Sequence, residues 1–202
     1  MITSKKKSPR PSEPLSVDAW CRAAVKLVIR EGISGLAVEP MTRELGITKG
    51  SFYWHFENRD ALVHETLRRW ETDQTQDLIA RFVRIEDPLT RLRILMFAAF
   101  EDIENGLFFA ALSASSEDPR VQPYLQRVSS RRLGFVTDSF TALGLEPEEA
   151  RRRALFSYSV YAGYFQLLRA IPDQVKAVSD LSAYVHYLAD SLAPRPPAAK
   201  AK

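Results

Sequence analysis

An all-α fold is predicted, with a small helix-turn-helix unit near the N-terminus, a larger helical part behind it and about nine helices in total. Three observations predict it. Apolar residues recur at helical spacings of three, four and seven from Trp20 to Leu188, and no run alternates as a half-buried strand would. Helix-length pieces are marked off by Gly32, Gly46, Asp87-Pro88, Gly144, Glu146-Pro147 and Pro172. The stretch from Leu36 to Phe56, LAVEPMTRELGITKGSFYWHF, reads as two short helices joined through a glycine turn.

Taken in order, residues 1–15 carry Pro9, Pro11 and Pro14 among lysines and read as a flexible basic arm. Ser16 is a good N-cap for the first helix, and Asp18 suits its positive end. Trp20, Ala24, Leu27 and Val28 form the inward stripe of that helix, and Gly32 ends it. A short helix over Val38–Leu45 puts Val38, Met41, Thr42 and Leu45 on one face, with Pro40 in the first turn, where a missing N–H costs little. Gly46 takes the left-handed position, Ile47 plugs the turn, and Thr48 is expected to cap the next helix through its hydroxyl. In that helix Phe52 and Phe56 are four apart and should be the buried pair.

Asn58 caps a long helix reaching about Val83, with Leu62, Leu67, Trp70, Leu78 and Phe82 on its apolar face. Asp87-Pro88 opens a helix expected to run to Gly106, its centre Ile94–Phe100 apolar all round and so buried on every side. Leu107–Ser115 reads as a short apolar helix or linker, and a further helix spans about Gln122–Leu143. Glu146-Pro147 starts a helix continuing to Ala170, with Glu148 and Glu149 near the positive end of its dipole. A last helix ends near Leu192 with Leu181, Tyr184, Val185 and Leu188 on one stripe. The expected organisation is an arm (1–15), a helix-turn-helix domain (16–60), a helical domain (61–193) and a disordered tail (194–202).

The chain has 202 residues, 46% hydrophobic and 26% charged, enough to bury a proper core. Its formal charge of +3 is unevenly placed. Lys5, Lys6, Lys7 and Arg10 against Glu13 leave residues 1–16 at +3, and Arg195, Lys200 and Lys202 leave the last eight residues at +3, so the middle stands near −3. Global charge therefore says little about nucleic acid. No run of apolar residues is long enough to span a membrane, and the N-terminus lacks the apolar core of a secretory signal. The single cysteine, Cys21, excludes an internal disulfide and reads as a buried, inert thiol, so the cytoplasm is the expected compartment. The histidines, His55, His64 and His186, stand in no metal-binding or Cys-His arrangement, and no phosphate loop or nucleophile elbow occurs. Neither an enzyme nor a metal or cofactor site is expected.

The second short helix carries one cation, three hydrogen-bonding side chains and four rings between Lys49 and Phe56. With Phe52 and Phe56 inward, Lys49, Tyr53 and Trp54 point outward, where Lys and Tyr hold phosphate oxygens and a small Ser51 lets backbone approach a groove. Residues 32–62, ending in G-I-T-K-G-S-F-Y-W-H-F-E-N-R-D-A-L, closely resemble the tetracycline-repressor (TetR) family. Two departures stand out: Ala37 replaces the capping Thr usual before the first of these helices, and Thr42 is bulkier than the small residue usual at the helix crossing. The resemblance implies a DNA-reading set of Arg43, Thr48, Lys49, Gly50, Ser51, Tyr53, Trp54, His55 and Arg59, on double-stranded palindromic operator DNA.

It also implies a regulator, most often a repressor, released by a small molecule bound behind the DNA reader. Aromatic residues at helical spacing usually form core, but an apolar pocket between bundle helices is the sharper expectation. Its candidate lining is Trp70, Phe97, Phe100, Phe108, Phe109, Tyr124 and Phe135. Related regulators pair through their last two helices, so Leu155, Tyr158, Ser159, Ala162, Gly163, Gln166, Tyr184 and Leu188 are the expected homodimer interface. Small residues there allow close approach, and rings with polar tips suit interfaces.

Overall fold

A computed structural model describes residues 16–178 and 180–192; the expected arm and tail lie outside the described residues. Helix α1 spans Val17–Gly35, and Ser16 accepts from the Ala19 amide at 3.3 Å. Its regular part stops at Gly32, whose φ of 75° breaks the helix where the sequence requires a left-handed residue. Helices α2 (Val38–Leu45) and α3 (Lys49–His55) flank Gly46, which caps α2 with φ 66°. Helix α4 (Arg59–Glu71) passes through a π turn (Thr72–Gln76) into α5 (Asp77–Phe82), making one continuous rod. Residue 60 lies in the first turn of that rod, so one helix crosses the expected domain border.

Behind the rod come α6 (Pro88–Glu101), α7 (Ile103–Ser113), α8 (Gln122–Ala142), α9 (Pro147–Ala170), α10 (Pro172–Val178) and α11 (Leu181–Leu192). Counting the rod once, the described residues form ten helices and no strand, so the fold is all-α. The helix beyond the expected nine is α10, a two-turn piece started by Pro172.

Two expectations need correcting. The helix opened by Asp87, which accepts from Thr90 N at 2.8 Å, does not reach Gly106. It breaks at Asp102 (φ −78°, ψ 72°), which closes α6 and caps α7 by accepting from the Asn105 amide at 3.1 Å. Gly106 is instead the crossing point of α7 and α9: a Cβ there would sit 2.2 Å from the ring of Phe165. Nor is the centre of α6 buried all round, because Ile94 is exposed while Phe100 alone is fully enclosed. The loose packing of that face follows from the cavity it lines.

One apolar cluster runs through the molecule. Trp20, Leu27 and Val28 of α1 enclose Phe52 and Phe56, with Trp20 edge-on to both rings at 5.4 and 6.4 Å. The same cluster continues through Leu62, Val63 and Leu67 to Phe108, Leu112 and Phe165. Helix α1 packs against α7 as well as α4, so the short helices rest on the bundle instead of hanging from it.

Candidate nucleic-acid interface

Helix α3 is held by its inward face. Phe52 is fully buried and Phe56 nearly so, which turns the rest of a seven-residue helix outward. Tyr53 is 60% exposed and Trp54 76% exposed, and Lys49 and Gly50 are also open to solvent. A protein rarely leaves two such rings bare beside each other without a use for them. Ser51 is half-buried. A Cβ at Gly50 would meet Thr48 Oγ1 at 3.7 Å, an ordinary contact, so the fold does not itself demand glycine there.

Charge is arranged around this helix. The Lys49 ammonium pairs with the Glu39 carboxylate on α2, which lowers the Glu39 pKa and raises that of Lys49 through their hydrogen bond. Both groups are fully exposed, so the pair yields readily to a stronger anion. Arg43, in the last turn of α2, is exposed on the neighbouring surface.

Three of the expected DNA-reading residues sit differently from the sequence reading. Thr48 occupies the N-cap position of α3, yet its hydroxyl accepts no amide bond; the Ser51 amide bonds the Thr48 carbonyl instead, at 3.1 Å. His55 is half-buried between Trp54 and Phe56, at ring distances of 5.0 and 6.3 Å, with its Nε2 buried and unpartnered. Arg59 turns away from solvent. Its guanidinium donates to the carbonyls of Leu36, of Ile33 at 2.6 Å and of Ser34 at 3.4 Å. Those carbonyls lie at the end of α1, where helical amide partners run short and only Ile33 also accepts from a backbone amide, that of Leu36 at 3.3 Å, so Arg59 clamps α1 to the start of α4.

Beside it, Arg120 bridges the two parts. It donates to Asp118 at 2.6 Å and to Asp60, in the first turn of α4, at 2.6 Å. The Arg120 guanidinium holds the Asp118 carboxyl down to about 2, and the carboxylates raise Arg120 in turn.

Residues 21–66, from α1 through most of the rod's first half, match the family model described as "Bacterial regulatory proteins, tetR family". Over these residues the chain carries a TetR-type DNA-binding domain. The transcriptional repressor KstR2 of Mycolicibacterium smegmatis is 33% identical over 100 residues, 47% of each chain, so the match spans about half of that relative. The transcriptional regulator BetI of Brucella anthropi is 28% identical over 149 residues, 70% of this chain and 73% of its own. The regulator FadR from Bacillus subtilis in complex with stearoyl-CoA shares the TetR fold, with a TM-score of 0.65 and 13% identity over 86% of this chain and 95% of its own. These relatives are transcriptional regulators.

Away from the TetR helix-turn-helix, a cavity of about 120 Å³ lies between the rod, α6, α8 and α9. Of the seven rings expected to line it, Phe100 and Phe135 do. Trp70 and Phe108 pack edge to face at 5.8 Å outside that lining, and Phe109 is buried core. Phe97 lies against His186 at 4.7 Å, and Tyr124 lies under the Arg127 guanidinium at 4.5 Å with its hydroxyl 3.4 Å from the His64 carbonyl. The sequence reading missed Leu78, Ile79, Asn105, Arg132 and Tyr161. No periodicity points to them, because a cavity forms where side chains from separate helices fail to meet.

On α9, Leu155, Ser159, Gly163 and Leu167 recur every four residues and are all exposed, with Phe156 beside them. Tyr187 of α11 is 68% exposed. Ala162 is half-buried at the edge of that stripe. Tyr158, Gln166, Tyr184 and Leu188, also expected at an interface, turn inward. Tyr158 bonds Ser129 at 3.0 Å, Gln166 donates to the Ala110 carbonyl at 3.2 Å, Tyr184 stacks on Tyr164 at 5.5 Å and Leu188 is buried. On α9 the expected set thus falls on two neighbouring stripes, with Leu155, Ser159 and Gly163 facing out and Tyr158 and Gln166 facing in.

No helix among the described residues is long and apolar enough to cross a membrane.

Proposed function

We propose that this chain is a TetR-family, homodimeric, DNA-binding transcriptional repressor whose two α3 helices read a palindromic operator in successive major grooves. The observation that carries this reading is the composition of the exposed face of α3. Lys49, Gly50, Tyr53 and Trp54 stand bare on a helix anchored by Phe52 and Phe56. Lys49 exchanges Glu39 for a phosphate, Arg43 and Thr48 add phosphate contacts, and Ser51, Tyr53 and Trp54 meet the groove, with His55 packed behind them. Arg59 acts as a clamp behind that face.

Dimerisation is supported by the exposed apolar stripe of α9, with Leu155 at 57% and Leu167 at 52%, continued by Tyr187 on α11. Release by an effector is supported by the cavity. It touches Gln74 and Thr75 of the π turn, on the rod whose first turn carries Asp60 and the Arg59 clamp. A ligand that binds one rod position better than the other shifts the spacing of the two readers. π turns are frequent at functional sites because one extra residue per turn is easily redistributed.

Selection of bound duplexes from a random DNA library tests the reading. The winners should share an inverted repeat with half-sites about one helical turn or slightly more apart. Winners lacking two-fold symmetry would overturn it.

A further inference from the structure

The cavity's walls are mostly aliphatic and aromatic, among them Leu78, Leu92, Met96, Phe135 and Val160, while Tyr161, Arg132 and Asn105 bring donors to it and Asp102 is the one carboxylate among its lining residues. Tyr161 is 6% exposed, lines the cavity, and has a hydroxyl that is buried without a hydrogen-bond partner. Buried hydroxyls are nearly always satisfied, so this one marks a place for an acceptor. Arg132 approaches it, its guanidinium carbon 6.0 Å from the Tyr161 ring and 5.5 Å from that of Trp70. Its own bonds go to neutral oxygens, Thr75 Oγ1 at 3.2 Å and the Gln74 carbonyl at 3.0 Å, and no carboxylate among the described residues bonds it. Asn105 accepts from Trp70 Nε1 at 2.8 Å, which leaves its NH2 group as a donor. Of the other charges on the lining, Arg93 pairs with Asp190 at 3.2 Å, and Asp102 spends one oxygen on the Asn105 amide as the cap of α7 while its charge still reaches Tyr161.

We infer that this cavity binds a small apolar carboxylate, its oxygens accepting from the Tyr161 hydroxyl and the Arg132 guanidinium and its body lying against Leu92, Phe135 and Val160. The inference deepens the effector role proposed above and rests on it for its biological meaning. Size sets the class. An apolar cavity of about 150 Å³ admits benzene, so a space of about 120 Å³ holds at most a single ring or a short branched chain, not a long acyl chain. The guanidinium sets the sign, because a charge-assisted bond in an apolar site is roughly twice as strong as a neutral one.

Calorimetric titration of the full chain with benzoate, benzyl alcohol and benzylamine tests the class. Benzoate should bind roughly tenfold or more tighter than benzyl alcohol, and benzylamine should not bind. Tyr161→Phe removes one oxygen and nothing else. It should leave the unliganded melting temperature unchanged or higher, since an unpartnered buried hydroxyl is a cost, and weaken benzoate roughly tenfold. Benzylamine or benzyl alcohol binding as tightly as benzoate would overturn the inference, as would no binding by any of the three. So would a Tyr161→Phe protein that melts lower yet binds benzoate normally. Because binding is read directly, benzoate that binds without loosening operator DNA would sink the effector role and leave the carboxylate site standing.

Discussion

Two cations near α3, Lys49 and Arg59, illustrate how placement decides what a charge does. Lys49 pairs with Glu39 in full solvent, where such a pair contributes little to stability. Lys49→Ala should leave urea unfolding unchanged, weaken DNA binding for all sequences and lower the salt slope by about one charge. An unchanged slope would remove Lys49 from the phosphate contacts. Arg59 donates to carbonyls of Ile33, Ser34 and Leu36. Arg59→Ala should therefore destabilise the fold by about 2 kcal/mol, in the range of hydrogen bonds to charged groups, as read from the unfolding midpoint. If it cost DNA affinity but no stability, the clamp reading would be wrong. Sequence made Lys49 legible as an outward group, because its relation to Phe52 and Phe56 is fixed by the helix period. It could not reveal the Arg59 contacts, which span 23 to 26 positions and depend on how α1 ends.

At the scale of elements, starts and stops were legible where local chemistry writes them. Asn58 and Asp87 cap as expected, accepting at 2.9 and 2.8 Å, and Gly32, Gly46 and Gly144 take positive φ. The π turn has no such mark and depends on a distant helix, Arg132 reaching Thr75; the break at Asp102 does carry one, an Asp cap accepting from Asn105, which the apolar run around it obscured. The loop between α7 and α8 joins the DNA-reading helices through Arg120, and acid exposes that joint. Asp118 is pulled from 3.8 to about 2 by Arg120, so its folded-state pKa lies below its unfolded value. Its contribution is fully present above pH ~4 and disappears as pH falls through about 2, a difference of about 2 kcal/mol. Asp118→Asn should lose about that much at neutral pH, and the gap from the parent protein should narrow toward pH 2 in chemical unfolding. A gap independent of pH would mean that shape, not charge, makes the joint.

For the whole molecule the open question is which surface the chain keeps for its own copy. One recognition helix covers too few base pairs to find an operator among a genome of competing sites, so specificity requires two. The exposed stripe Leu155–Ser159–Gly163–Leu167 gives each copy the same flat, small-centred surface, as a two-fold interface needs. Gly163 is its most informative position. Nothing lies within 4 Å of a Cβ built there, so a larger side chain disturbs no contact within the chain. Its backbone is helical, where replacing glycine favours the folded state by up to about 1 kcal/mol. Gly163→Arg should therefore keep its helical content while placing two arginines face to face across the axis, a cost of several kcal/mol if buried unpaired. Sedimentation should find it monomeric at concentrations where the parent is a dimer. Its binding to a single half-site should persist, while tight binding to the full palindrome is lost. If Gly163→Arg sediments as a dimer and holds the palindrome as the parent does, the interface lies on another face.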